Sequence, residues 1–108
     1  EYIKDEKKAL AEFYRVLKPG GKLYIFSHID KNLEKTYEDM SISSPIEREK
    51  AYGYKVYFRT YGLDFGVRIE REGFIVAKIK YAKVINKKLN NKYCLNEEDD
   101  LYICTKPQ

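Results

Sequence analysis

The sequence is poor in the residues that build metal, redox and membrane sites. Among its 108 residues it has no tryptophan, one histidine, one methionine and two cysteines. Cys94 and Cys104 lack the short spacing and the neighbouring ligands of a zinc site, so we predict two reduced thiols and no bound metal. No apolar run approaches the roughly 20 residues that a membrane-spanning helix needs. No signal peptide opens the chain, and these absences together predict a cytoplasmic protein that does not bind membranes.

Charged residues and tyrosines are abundant instead. Charged residues make up 35% of the chain and hydrophobic residues 44%, a balance typical of a soluble globular protein rather than a disordered one. The length fits a single domain over residues 1–108. The net charge of +4 permits contact with anionic ligands but does not require it. A start at Glu1 rather than at a methionine is compatible with a fragment or a processed product.

The turn Lys18-Pro19-Gly20-Gly21 separates a predicted helix from a predicted strand. Residues 4–17 place apolar side chains at helical spacing, and acidic residues in the first turn suit the helix dipole. Proline disfavours helical geometry in the residue before it, and the two glycines permit the positive φ of a helix exit. Residues 22–27 are apolar on both faces, which is typical of a strand covered on both sides. A helix that leads into such a strand indicates an α/β fold.

The rest of the chain predicts two more helices and two more strands. Pro45 opens a short helix that runs to residue 51, with Ser44 as the N-cap, Glu47 completing a capping box and Gly53 ending it. Residues 63–72 form the next predicted helix, with Gly73 as its C-cap. Residues 74–81 and 101–105 are the predicted strands, joined by a lysine- and asparagine-rich connection over residues 83–98.

The hydrophobic pattern predicts the order of these strands in the sheet. The strand from Leu23 to Phe26 and the strand at 101–104 are apolar on both faces, whereas the strand at 74–81 carries lysines typical of an exposed edge. We therefore expect the last strand to lie between the other two. The first strand then has a bare apolar edge, which is a template for pairing with another chain. We expect this edge to bind a second copy of the chain or a separate complementary half.

One segment resembles a known family. Arg15-Val16-Leu17-Lys18-Pro19-Gly20-Gly21, followed by an apolar strand, resembles the segment that leads into the fifth strand of class I S-adenosylmethionine-dependent methyltransferases. Glu1-Tyr2-Ile3 is similar to the segment that ends the fourth strand in that family. Further blocks that resemble its downstream half are Glu38-Asp39, Ser44 to Glu49, Gly53, Arg59 to Phe65 and Glu72 to Phe74.

The resemblance implies that the chain is the carboxyl-terminal half of such a methyltransferase domain. The implied fold is a partial Rossmann-like α/β sheet of about three strands, with the last strand antiparallel and central and with flanking helices. In the family, the amino-terminal half carries the glycine-rich turn that holds S-adenosylmethionine. The implied function is to contribute part of the substrate pocket and of the sheet.

The departures from the family pattern bear on catalysis. No Gly-x-Gly turn lies between a strand and a helix, so we expect no cofactor binding by the isolated chain, and S-adenosylmethionine only after complementation by an amino-terminal half. Val56 and Tyr57 stand where a related subgroup carries an aspartate and a histidine, which removes a general base. We expect the isolated chain not to be catalytic, and no catalytic residue is assigned.

The candidate substrate-binding residues each have a structural alternative. His28 follows a strand at its carboxyl end, where α/β proteins place ligands, but it also fits a residue on a pocket rim. An arginine near two tyrosines fits an anionic substrate, and it equally fits an ion pair with Asp64 or Glu70. The four candidates are His28, Tyr57, Arg59 and Tyr61.

Two other functions remain open. A non-catalytic dimeric module would keep this scaffold without the cofactor site. A nucleic-acid-binding module is suggested by alternating rings and cations, which suit single strands. We favour the view that these rings pack at a pocket or a subunit interface, because the net charge is mild and no nucleic-acid motif occurs. The alternating residues are Arg48, Lys50, Tyr52, Tyr54, Lys55, Tyr57, Arg59 and Tyr61.

Overall fold

The computed structural model describes residues 1–80 and 100–108 of the chain. The predicted connection over 83–98 and the predicted thiol of Cys94 lie outside these residues. Each predicted helix and strand is present, with ends that differ by a few residues. The elements are α1 (Glu6–Val16), β1 (Lys22–Phe26), α2 (Pro45–Tyr52), α3 (Phe65–Glu70), β2 (Ile75–Ile79) and β3 (Leu101–Thr105).

Local side-chain chemistry sets the helix ends. At α1 the Asp5 carboxylate accepts a hydrogen bond from the Lys8 amide at 3.0 Å. At α2 the Ser44 hydroxyl accepts from the Glu47 amide and donates to the Glu47 carboxylate, both at 3.1 Å, which confirms the predicted cap. Gly53 ends α2 with φ of 92°, in the left-handed region that favours glycine.

The three strands form one antiparallel sheet with the spatial order β1-β3-β2. Leu23 pairs with Cys104, and Cys104 pairs with Val76 on the other side. The prediction that the last strand lies between the other two is confirmed. The structure therefore shows an α/β chain with an open antiparallel sheet and flanking helices.

The core lies on one face of this sheet. Leu10 of α1 and Ile69 of α3 pack there with Phe74 and with Tyr102 and Cys104 of β3. Burial of this apolar surface is the main force that holds helices to sheet. No helix in the described ranges has the length and apolar character to cross a membrane.

The strand β1 is covered on one face only by the described residues, which corrects the prediction of two covered faces. Leu23 and Ile25 pack against the core. Tyr24 and Phe26 point to the opposite face and are 60% and 58% exposed. The reason is that α1 and α3 both contribute to the core on the same side of the sheet. Neither α1 nor α3 therefore covers the opposite face of β1.

Candidate functional site

A cavity of about 540 Å³ opens at the carboxyl end of β1, and we call it the tyrosine cavity. In α/β proteins with open, mostly parallel sheets, ligands bind beyond the carboxyl ends of the strands. The structure brings all four sequence-predicted residues to its wall. The lining side chains used below are Glu1, His28, Asp30, Tyr54, Tyr57, Arg59 and Tyr61.

Backbone hydrogen bonds fix two distant segments as the walls of this cavity. The Asp30 amide donates to the Tyr61 carbonyl at 2.8 Å, and Ile29 forms a parallel bridge to Tyr61. The Phe58 amide donates to the Glu1 carbonyl at 2.8 Å. The segment after β1, the segment before α3 and the first residues of the chain therefore converge here.

Arg59 is a buried structural arginine in the cavity wall. Its side chain is 1% exposed, and its Nε donates to the Glu38 carboxylate. Nη1 donates to the Ile3 carbonyl at 2.6 Å, and Nη2 donates to the Lys4 carbonyl at 2.8 Å. An ion pair is thus observed, but the predicted partners Asp64 and Glu70 were wrong.

Asp64 forms hydrogen bonds with Thr36 rather than an ion pair with Arg59. Its carboxylate accepts from the Thr36 amide at 2.8 Å and from the Thr36 hydroxyl at 2.6 Å. These bonds hold the loop after β1 against the start of α3. Since the loop also supplies Glu38, Asp64 contributes indirectly to the placement of the partner of Arg59.

A second arginine extends the ion pair into a network, and we call Glu6, Glu38, Arg59 and Arg68 the ion cluster. Arg68 Nη2 donates to Glu6 at 2.6 Å and to Glu38 at 3.1 Å. Tyr61 donates its hydroxyl hydrogen to Glu6 at 2.6 Å. Burial alone would raise the pKa of Glu6, but the hydrogen bonds from Arg68 and Tyr61 outweigh it and lower that pKa. Burial and the bond to Glu6 raise the pKa of Tyr61.

Tyr57 lies between two other rings. Its centroid is 4.9 Å from that of Tyr2 and 4.8 Å from that of Tyr54. Hydrogen bonding with Tyr2 raises the pKa of Tyr57 to about 12, so its hydroxyl stays protonated near neutral pH. Tyr57 therefore offers a ring and a hydrogen-bond donor rather than a general base.

Two further candidate side chains, His28 and Cys104, lie apart in the described part of the chain. His28 lies exposed on the cavity rim. Cys104 is fully buried in the sheet, and burial raises the pKa of its thiol to about 11. Within residues 1–80 and 100–108, no group of His, Cys, Asp and Glu side chains is placed to hold a metal ion. The cavity wall therefore consists of rings, carboxylates and backbone held in place by hydrogen bonds.

An apolar groove of about 390 Å³ runs between α1 and the outer edge of β1, and we call it the edge groove. Its wall includes Leu10, Phe13, Leu23, Ile25 and Phe65. Phe13 is 40% exposed. Within the described residues β1 pairs with β3 alone, so the groove lies along a strand edge that has no neighbour there.

Sequence comparison gives one family match. Residues 1–25 match the family model described as methyltransferase domain. The matched segment contains α1 and most of β1, the two elements that border the edge groove. No curated protein and no solved structure matches the chain.

Proposed function

We propose that this chain, whose first 25 residues match the methyltransferase domain, works in S-adenosylmethionine-dependent methyl transfer. Its part is to supply the substrate side of the site, the tyrosine cavity, together with a share of the sheet. It acts with an amino-terminal half that binds the cofactor, and it is inactive alone. The observation that carries this proposal is the position of the cavity at the carboxyl end of β1, the strand that follows the family-matched helix.

The described residues do not fit S-adenosylmethionine as a bound cofactor. A nucleotide-type cofactor needs a glycine turn between the end of a strand and the start of a helix. The glycines with positive φ are Gly20, before β1, Gly53, after α2, and Gly73, before β2. None of these described glycines lies at a strand-to-helix turn, so we assign the cofactor to the complementary half.

The edge groove is the proposed contact with that half. Its apolar wall and the free edge of β1 together suit a β-strand that adds to the sheet and lays apolar side chains against Phe13 and Leu23. Glu1 and Ser27 mark one end of the groove, where the Ser27 hydroxyl donates to the Glu1 carboxylate at 2.6 Å. A strand of the complementary half whose last residue lay next to Glu1 would run alongside β1. The fourth and fifth strands have this arrangement in the methyltransferase family that the sequence resembles.

Titration calorimetry with S-adenosylmethionine tests whether the cofactor binds to the complementary half rather than to this chain. We expect no binding heat with the purified chain, because the cradle for the cofactor is missing from the described residues. Clear binding at micromolar ligand would overturn the assignment of the cofactor to another half. Methyl transfer by the chain alone to any acceptor would do the same.

The second candidate is a non-catalytic module that dimerises through the same edge. Light scattering over a range of concentrations separates the two, with Phe13→Lys as the test variant and Val16→Lys as the matched control. Val16 is on the same helix and is 62% exposed, and it does not line the groove. A dimer that Phe13→Lys disrupts and Val16→Lys leaves intact would favour the dimeric module.

The structure gives the nucleic-acid hypothesis little support. Two of the alternating cations are used inside the fold, since Arg59 is buried in the ion cluster and Arg48 donates to the carbonyls of Ser43 and Lys55. Arg48 also lies 4.8 Å from the Phe58 ring centroid. These contacts favour packing over strand binding. Binding to single-stranded DNA that fell steeply with added salt would reverse this view.

A further inference from the structure

We infer that the tyrosine cavity binds small organic cations of the alkylammonium class. The inference names the class of molecule that the proposed substrate pocket admits, and to that extent it rests on the proposed function. The preference for a cation is a separate property of the cavity wall. It follows from three features of that wall: its carboxylates, the neutralised arginine and its tyrosine rings.

Two carboxylates lie on the wall, those of Glu1 and Asp30, and the amino-terminal ammonium of Glu1 lies close to the first of them. Glu1 accepts a hydrogen bond from the Ser27 hydroxyl at 2.6 Å, and Asp30 accepts one from the Asn32 amide at 2.9 Å. Both of these donors are neutral. Neither carboxylate has a salt-bridge partner in the described part of the chain. A cation inside the cavity would therefore be attracted chiefly by Asp30, because the ammonium of Glu1 offsets part of the charge of its own carboxylate.

The arginine on the wall does not cancel this potential. Arg59 is 1% exposed, and its guanidinium is directed to Glu38 and to the carbonyls of Ile3 and Lys4. Its charge is matched within the ion cluster, where two glutamates face two arginines. An anionic ligand would have to compete with Glu38 for a buried guanidinium while facing Glu1 and Asp30. This arrangement disfavours the anionic substrate that the sequence suggested.

The rings supply the second attraction for a cation. Tyr54 and Tyr57 pack against each other at an interplanar angle of 51°, and both rings line the cavity. The faces of aromatic rings attract cations within about 6 Å, most strongly where water is excluded. Tyr61 is 5% exposed, and its ring already faces the guanidinium groups of Arg59 and Arg68, each 5.9 Å from its centroid. The rings open to a ligand are therefore those of Tyr54 and Tyr57. Rings beside carboxylates are the combination that recognises alkylated ammonium groups.

Ligand-observed NMR on the purified chain tests the inference without any cofactor. Choline is the probe, and 3,3-dimethyl-1-butanol, its neutral isostere, is the comparison ligand. We expect saturable binding of choline, with its methyl resonances shifted by the rings, and binding of the isostere at least about fivefold weaker. Tyr57→Leu and Asp30→Asn should each weaken choline binding about two- to fivefold. Tyr57→Phe keeps the ring and should retain most of the affinity.

Two matched variants control for general effects. Tyr24→Leu removes an exposed tyrosine from β1, and Glu70→Gln removes an exposed carboxylate from α3; neither residue lines the cavity. Both should leave choline binding unchanged. If Tyr57→Leu loses its dispersed NMR spectrum, Tyr54→Leu replaces it, because Tyr54 is 61% exposed and its loss costs little packing.

The inference is overturned by equal binding of choline and its isostere, which would show an apolar pocket only. It is also overturned if choline does not bind saturably, or if Tyr57→Leu and Asp30→Asn bind it as well as the parent chain. None of these outcomes bears on methyl transfer, which is tested separately by cofactor titration. A failure of the cation site and a failure of the proposed function are therefore distinguishable.

Discussion

The tyrosine cavity and the edge groove are neighbours that differ in chemistry. They share Glu1 and Tyr61 on their walls. The cavity wall combines rings with charged and polar groups, and the groups behind it are satisfied by the ion cluster and by backbone bonds. The groove is apolar, and it borders a strand that has a sheet neighbour on one side only among the described residues. Among the described residues, the groups behind the cavity have their partners, whereas the groove stays open along the edge of β1.

The difference lies in what each surface would gain from a partner. Desolvated ion pairs are costly to break once made, so the ion cluster holds the cavity wall in place and gains little from contact with another chain. An apolar groove gains free energy from every contact that excludes water. We therefore expect substitutions behind the cavity to act on folding, and substitutions in the groove to act on association.

The largest expected effect is at Arg59. Arg59→Met removes the guanidinium but leaves Glu38 partly buried without it, and it leaves the carbonyls of Ile3 and Lys4 without their donors. We expect the free energy of unfolding to fall by about 3 kcal/mol, measured by urea denaturation with far-UV circular dichroism.

The matched control for this prediction is Arg15→Met. Arg15 forms an ion pair with Glu12 that lies exposed on α1, and its loss should not measurably change the urea midpoint. Phe13→Lys should also leave the midpoint near that of the parent chain. A loss of less than about 1 kcal/mol at Arg59 would contradict the view that the cavity is held by its ion cluster.

A second expected effect is acid sensitivity that depends on Glu6. The folded-state pKa of Glu6 lies below its ordinary value of 4.5, because hydrogen bonds from Arg68 and Tyr61 outweigh burial. The stabilisation is therefore fully present above pH 4.5 and is lost as the pH falls through the lower, folded-state pKa. Arg68 stays protonated throughout this range. Stability measured from pH 7 down to pH 3 should show this loss, and Glu6→Gln should flatten it.

Salt separates this effect from that of an exposed pair. Hydrogen bonding and charge from Arg15 also lower the pKa of Glu12, but that pair is exposed and screened by salt. In high salt the contribution of Glu12 should fade while that of Glu6 persists. If Glu6→Gln and Glu12→Gln flatten the acid profile equally in high salt, Glu6 is not part of a protected cluster.

Most of the fold could be predicted from local sequence rules. Ser44, Pro45 and Glu47 define a helix start by side-chain chemistry that acts within one turn. The lysines of residues 74–81 indicated an edge strand, and the two-faced apolar pattern of residues 101–104, together with the family resemblance, placed the last strand in the middle of the sheet. The same pattern misled at β1, since the sequence pattern does not say whether the second cover comes from the same chain.

The four residues predicted from the sequence lie together in one cavity, but the contacts that hold them there were not predicted. His28, Tyr57, Arg59 and Tyr61 were found through the residues around them and do line one cavity. Glu6, Glu38 and Arg68 were missed, because their contacts join segments far apart in the chain and leave no periodic signal. A buried arginine demands a buried carboxylate, yet the sequence offers 17 acidic residues and no rule that selects among them.

The smallest expected effect concerns the two faces of β1. Tyr24 and Ile25 are adjacent, but Ile25 packs against the core and Tyr24 is 60% exposed. We expect Ile25→Thr to lower the free energy of unfolding by about 1–2 kcal/mol, and Tyr24→Thr to change it by less than about 0.5 kcal/mol. Both values come from urea denaturation of dilute protein. Threonine suits a strand at either position, so the contrast reports burial rather than β propensity.

The same pair of variants shows whether the outer face of β1 is covered in solution. If Tyr24→Thr is as destabilising as Ile25→Thr at every protein concentration, the outer face is covered within the chain, and the one-sided sheet is wrong. If the cost at Tyr24 appears only as concentration rises, a second copy covers this face, because association adds to stability by mass action. A small and constant cost would leave β1 as a strand with one apolar face still available to a complementary half.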